Sequence, residues 1–170
     1  MGLPGSGKST IGRQLARRLD CRFFDSDLVL ERRLGCSIRE FFEREGEQAF
    51  RDLEQGVIDE LTRNAGCVLA TGGGAVLRQA NRDNLRQRCQ VIYLHSAPGE
   101  VFRRLRYDQN RPLLQVSDPL IRLNELYQVR DPLYREAAHF VVETGRPSVS
   151  ALVNTIVMQL ESAGLIPAPA

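Results

Sequence analysis

Gly2-Leu3-Pro4-Gly5-Ser6-Gly7-Lys8-Ser9 stands at the start of the chain, and few backbone courses can accommodate it. It fits the pattern G-x-x-x-x-G-K-[ST]. In that pattern the glycines let successive N–H groups turn inward around a phosphate, and a helix N-terminus adds its positive end. Ile11, Leu15 and Leu19 follow at helical spacing, so the helix that such a loop feeds is also present. Lys8 is the single lysine among the 23 Lys+Arg. A compact ammonium reaches the β- and γ-phosphates where a planar guanidinium is too wide, and the Ser9 hydroxyl is the expected Mg²⁺ ligand. The bland alternative is a glycine-rich turn before an amphipathic helix; the full pattern match argues against it. The segment predicts a nucleoside triphosphate site in which Gly5, Ser6, Gly7, Lys8, Ser9 and Thr10 surround the phosphates.

At 170 residues, with 42% hydrophobic and 26% charged content, the chain reads as one domain with an adequate core. A net charge of +2 does not call for nucleic acid, and no basic cluster interleaves with aromatics. Cys21, Cys36, Cys67 and Cys89 are scattered, without C-x-x-C or zinc spacing, and suit buried thiols of a reducing cytosol. No apolar run approaches the roughly 18 residues of a membrane span, so a cytoplasmic protein without membrane or nucleic-acid partners is expected. Nothing calls for an obligate apolar interface, and a monomer is expected. A phosphate loop normally hangs from a buried strand, and residue 2 leaves no room for one. The expectation is an upstream strand lacking here, with sheet neighbours left unpaired.

Downstream, strands and helices alternate. Helices are predicted over 8–19, from Leu28 to Leu34 with a stop at Gly35, from the Ser37-Ile38-Arg39-Glu40 capping box to Gly46, and along Phe50 to Leu61. More follow over 81–88, from Pro98 through Leu105, from Leu120 to Tyr127 with Pro132 interrupting or restarting the helix, and from Val149 to Leu160. Strands are predicted at Arg22–Asp25, Cys67–Thr71, Val91–Leu94 and Phe140–Val142. Residues 107–118 read as a lid-like loop, and Gly164 onward as a frayed tail. This alternation implies a three-layer α/β/α sandwich around a parallel sheet.

The lysine count excludes guanine-reading GTPases, which need a second lysine. The strands at Val68–Ala70 and Val91–Leu94 lack the terminal Asp or Asp-Glu of motor-type ATPases. A small-molecule or nucleotide kinase remains. Its acceptor site belongs at strand C-termini, where three constellations qualify. Asp25-Ser26-Asp27 offers two carboxylates, one for Mg²⁺ through water and one for an acceptor hydroxyl; a helix cap is the competing reading. Arg51 and Glu54 lie one helical turn apart, as an ordinary surface pair also would. Gly72-Gly73-Gly74 lets backbone approach a ligand, unless it is a plain loop.

Taken together, six ordered segments across the chain resemble shikimate kinase. They are Gly2–Thr10, Phe24-Asp25-Ser26-Asp27, Phe50-Arg51-Asp52-Leu53-Glu54, Thr71-Gly72-Gly73-Gly74, Arg111-Pro112-Leu113-Leu114 and Arg130-Asp131-Pro132-Leu133-Tyr134. The resemblance implies a P-loop fold with strand order 2-3-1-4-5, its first strand missing here. It also implies a single kinase domain over 1–170, a substrate segment near 26–55 and a lid near 107–118. ATP and shikimate would be the substrates, with Mg²⁺ as cofactor. By the same resemblance Asp27 would bind shikimate hydroxyls and take the acceptor proton, and Asp25 would join the Mg²⁺ water shell. Arg51 and Arg130 would clamp the carboxylate, with Glu54 holding Arg51, while Gly72, Gly73 and Gly74 line the substrate. Arg111 would close over the phosphates, sharing catalysis with Lys8 and Asp27, and Arg104 with Pro147 would sandwich adenine.

Three other readings compete. A kinase for another polyol acid, such as gluconate, would share the loop but would not need both Arg51 and Arg130. A non-catalytic nucleotide-binding module would bind ATP and transfer nothing. A nucleic-acid binder would show a steep salt dependence.

Overall fold

The computed structural model describes residues 1–106 and 116–168. Its elements are α1 (Lys8–Arg18), β1 (Arg22–Asp25), α2 (Ser26–Leu34), α3 (Ile38–Glu45), α4 (Glu47–Leu61), β2 (Cys67–Ala70), a 3₁₀ turn (Ala75–Leu77), α5 (Gln79–Arg88), β3 (Ile92–His95), α6 (Pro98–Leu105), α7 (Pro119–Ala137), β4 (Phe140–Glu143) and α8 (Val149–Ser162). The strands form two parallel pairs: β1 with β2, from Arg22 opposite Cys67 to Asp25 opposite Ala70, and β3 with β4, from Ile92 opposite Phe140 to His95 opposite Glu143.

Alternation along the strands sorts the helices into two layers. Ile92 and Leu94 turn to one face, where Ile11 and Leu15 of α1 meet Leu152, Ile156 and Leu160 of α8. Tyr93 turns to the other, against Val101 and Leu105 of α6 and Leu123, Leu126 and Tyr134 of α7. On β1, Phe24 packs with Leu30, Phe41 and Phe50 on that second side. Strands covered on both faces need near-continuous apolar runs, and β2 and β3 have them. The three-layer α/β/α architecture stands.

Between the two strand pairs runs a cavity of about 560 Å³, bordered by Val68 and Ala70 of β2, Ile92 and Leu94 of β3, Ile11 of α1 and Ile156 of α8. Met1 lies at its end. Leu94 N donates to the Met1 carbonyl at 2.8 Å, and Met1 N donates to the Ile92 carbonyl at 2.8 Å. The expected strand order places one further strand in this position.

Several boundaries differ from expectation. α2 starts at Ser26, because the Asp25 side chain accepts from Asp27 N and Leu28 N and caps it. α7 runs unbroken through Pro132. Four buried residues on its inner side, Leu123, Leu126, Tyr134 and Ala137, outweigh the hydrogen bond that proline removes. The tail past Gly164 is not wholly frayed: Leu165 N donates to Leu160 O at 2.9 Å, and Ile166 packs on the α1/α8 core. The Ser37 capping box forms as predicted, with Glu40 reaching back to Ser37 N.

Candidate active site

The phosphate loop turns twice through left-handed conformations, at Gly5 (φ 80°) and Gly7 (φ 91°), where only glycine is free of strain. Gly7 caps α1 without a side-chain bond, so the first N–H groups of that helix are directed outward from its positive end. Lys8 Nζ folds back to donate to Leu3 O at 2.8 Å. Ser6 is buried and its Oγ has no hydrogen-bond partner, a polar atom enclosed inside the loop.

At the end of β1, Asp25 does two jobs. One oxygen caps α2; the other accepts from Ser9 Oγ at 2.6 Å. The capping alternative is met, and the second oxygen stands beside Ser9, the other residue expected at Mg²⁺. Ser9 and Asp25 supply hard oxygen donors side by side at the loop, the donor set that Mg²⁺ takes beside nucleotide phosphates and water. Among the described residues no group of three or more His, Cys, Asp or Glu could hold a metal.

Asp27, two residues on, faces inward. Burial first, then the Asp25 and Glu54 carboxylates, push its pKa up to about 6, while Lys8 pulls the other way. A carboxyl so placed can hold or release a proton near neutrality.

Arg51 on α4 is held from two sides. Its Nη1 donates to Glu54 Oε1 at 2.8 Å, and its Nε and Nη2 donate to Glu47 Oε1 at 3.3 and 3.2 Å. Phe50 and Phe42 lie under the guanidinium at 5.3 and 5.7 Å. Glu54 is 1% exposed; burial pushes its carboxyl upward against the pull of Arg51. The ordinary surface pair is thus excluded, because Arg51 and Glu54 are both buried.

The triple glycine joins these groups. A side chain at Gly72 would collide with the Asp27 carboxylate, one at Gly73 would press on Pro4 and Arg130, and one at Gly74 would collide with the Arg51 guanidinium. Each glycine therefore lies against one sequence-predicted acceptor residue, and Gly73 also touches the phosphate loop. Gly72 N donates to the buried Ser26 Oγ at 3.1 Å, and Gly73 O accepts from Tyr134 Oη at 2.5 Å. The amides of Gly73 and Gly74 have no acceptor among the described residues.

Arg104 on α6 donates to Thr144 O at 2.6 Å and to Thr144 Oγ1 at 3.3 Å. That fastens it to the β4–α8 loop, where Pro147 is exposed. Arg111 and most of the expected lid fall outside the described residues. Sequence reading missed Ser26, Glu47 and Tyr134 as supports. Glu47 and Tyr134 could have been suspected, each one helical turn from a candidate arginine.

Known proteins match this chain over nearly its whole length. The family model described as shikimate kinase matches residues 4–161. A shikimate kinase of Paracidovorax citrulli is 62% identical, over 98% of this chain and 93% of its own. One of Ralstonia nicotianae is 57% identical over 100% of this chain and 90% of its own. Among solved structures, a shikimate kinase from Acinetobacter baumannii in complex with shikimate superposes with a TM-score of 0.91 at 44% identity, over 97% of this chain and 93% of that one. This chain belongs to the shikimate kinase family.

Proposed function

We propose that Lys8, Asp25, Asp27, Arg51, Arg130 and the triple glycine divide between them the work of the family's reaction, transfer of the ATP γ-phosphate to the 3-hydroxyl of shikimate. The observation that carries this reading is the contact of the three glycines with Asp27, Arg130 and Arg51. It gathers a hydroxyl-binding carboxylate and two carboxylate-binding arginines around one stretch of open backbone, beside the phosphate loop.

The Gly5–Thr10 segment holds the phosphates through N–H groups and Lys8. Ser9 and Asp25 would hold Mg²⁺, which would neutralise charge on the nucleotide phosphates. Arg51, kept in orientation by Glu54 and Glu47, forms a bidentate fork for the shikimate carboxylate with Arg130 opposite. The amides of Gly73 and Gly74 donate to the acceptor. Asp27 accepts a hydrogen bond from the reacting hydroxyl, aligns it in line with the γ-phosphorus and takes its proton. Lys8 stabilises charge on the moving phosphoryl group, and Arg111 joins it from a lid over 107–118. Arg104 and Pro147 flank adenine. In this reading the protein is a monomeric single-domain kinase over 1–170 with its substrate segment at 26–55, acting in the cytoplasm.

The test is ADP release with ATP and Mg²⁺, with shikimate, gluconate or no acceptor. Release that depends on shikimate alone is expected. Release with gluconate alone moves the assignment to another polyol acid, and nucleotide binding without release under any condition leaves a non-catalytic module.

A further inference from the structure

Tyr134 is fully buried, yet its hydroxyl does not serve the core. It donates to the Gly73 carbonyl at 2.5 Å, bridging 61 positions of sequence. Its ring stacks on Tyr93, centroids 4.8 Å apart and planes 29° apart. Tyr93 is fixed in turn, donating to Asp131 Oδ1 at 2.7 Å, while Asp131 Oδ2 accepts from Arg135 Nε at 3.0 Å. Two stacked phenols with separate anchors leave the Tyr134 hydroxyl little freedom.

The atom it holds belongs to the Gly73–Gly74 peptide. In a trans peptide the carbonyl and the following N–H point to opposite sides of one rigid plane. Anchoring Gly73 O on α7 therefore aims Gly74 N–H away from α7. Glycine on both sides of this peptide leaves the plane free to rotate without such an anchor. Arg130 stands one helical turn before Tyr134. Its Nη1 lies 3.4 Å from where a Gly73 Cβ would be, and its guanidinium neighbours the Tyr134 hydroxyl. A single hydroxyl thus meets both the peptide and one arm of the arginine clamp.

We propose that Tyr134 is a positioning residue for the acceptor, holding the Gly73–Gly74 peptide and Arg130 in the orientation that receives shikimate. It touches neither the reacting atoms nor the nucleotide. The inference rests on the reading that this peptide and Arg130 bind the acceptor.

Tyr134→Phe removes one oxygen. Tyr93→Phe is its control, deleting a hydroxyl of the same stack that does not reach the glycines. Thermal midpoint, kcat and the KM for each substrate are measured for both and for the unsubstituted protein. Tyr134→Phe is expected to raise the shikimate KM about tenfold, the scale of one lost hydrogen bond, with the ATP KM held within about twofold. Tyr93→Phe is expected to lower the thermal midpoint with both KM values nearly unchanged. The Gly74 amide resonance should move in Tyr134→Phe without any ligand and stay in place in Tyr93→Phe. An unchanged shikimate KM in Tyr134→Phe, or equal effects of the two substitutions on it, overturns the proposal and leaves a structural stack. If Tyr134→Phe does not fold, Tyr134→His takes its place, because the shorter imidazole ends before the phenol oxygen and does not reach Gly73 O. A shikimate KM for that variant equal to that of the unsubstituted protein also overturns the proposal. An unsubstituted protein that releases no ADP with shikimate overturns the functional reading instead, and Tyr134 with it.

Discussion

Two concave regions of this molecule are bounded in opposite ways. Around the acceptor site nearly every wall is a polar group with a partner: Asp25 with Ser9, Arg51 between Glu47 and Glu54, Gly72 with Ser26, Gly73 with Tyr134. Between β2 and β3 the cavity of about 560 Å³ is lined mostly by aliphatic side chains and two strand edges, with Lys8 and Thr71 also on its border and Met1 bonded to β3 at one end. The site residues are placed by caps and side-chain bonds at strand C-termini. None of those bonds crosses the cavity. Catalytic geometry and sheet cohesion are therefore separable here: the first is carried by polar contacts near the loop, the second by the apolar clusters that pack helices on the two faces of the strands.

Filling the cavity tests that separation with the largest expected effect. Added in trans to residues 1–170, an extended Val- and Ile-rich pentapeptide would pair with both strand edges and bury several side chains at roughly 1.5–3 kcal/mol each. The thermal midpoint should rise by about 10 °C or more, while the KM for shikimate stays where it was. An equal rise from a Gly/Ser peptide would show that strand pairing is not the cause. A large change in KM would show that the two regions are coupled.

Lys8→Ala acts on the other side of the comparison. It should lower kcat about a thousandfold, near 4 kcal/mol of transition-state stabilisation, and shift the thermal midpoint by only a few degrees. Near-normal turnover would remove the phosphate loop from the mechanism. Arg51→Lys keeps the charge but loses the fork that engages Glu54 and a carboxylate together. The shikimate KM should rise about a hundredfold, near 3 kcal/mol, with the ATP KM unaffected; steady-state kinetics in both substrates decide it.

Asp27→Asn has the smallest energetic effect and an unusual sign. The folded carboxyl titrates at about 6, above the unfolded value of about 3.9. The favourable contribution is therefore present below about pH 4 and is lost as pH rises through about 6. The Asn variant does not lose it, so it should be the more stable protein above pH 6, by about 2 kcal/mol after allowing for solvent screening, and the less active one. Urea denaturation of both proteins from about pH 4 to 8 should show the difference opening across that interval. A difference that does not vary with pH would contradict the burial of Asp27.

Most of this arrangement can be read from the sequence where a short local pattern carries the physics. The loop from Gly2 to Ser9, the Ser37 capping box and the alternation of strands and helices are all of that kind. So is the pairing of Arg51 with Glu54, although its burial is not, because i,i+3 spacing is the same on a surface and in a core. Tyr134 stands in a segment the sequence singles out, but its bond was not legible there, because its partner is a backbone carbonyl 61 residues away and no periodicity records that. Pro132 misled for the converse reason. Its local rule is sound, but the inner face of α7, with Leu126 and Tyr134 buried on either side of it, overrides that rule. Ser26 lay between two aspartates that drew attention to themselves, and its role depends on where Gly72 N arrives from the neighbouring strand.

The most direct test of the central claim is a titration of ¹⁵N-labelled protein with shikimate in the absence of nucleotide, following the amides of Gly72, Gly73 and Gly74. If the acceptor site is assembled by its own polar contacts, the Gly73 and Gly74 resonances move saturably with shikimate, and do not move with gluconate over the same range. Unmoved glycine resonances at shikimate concentrations that saturate turnover, or equal shifts with gluconate, would contradict it.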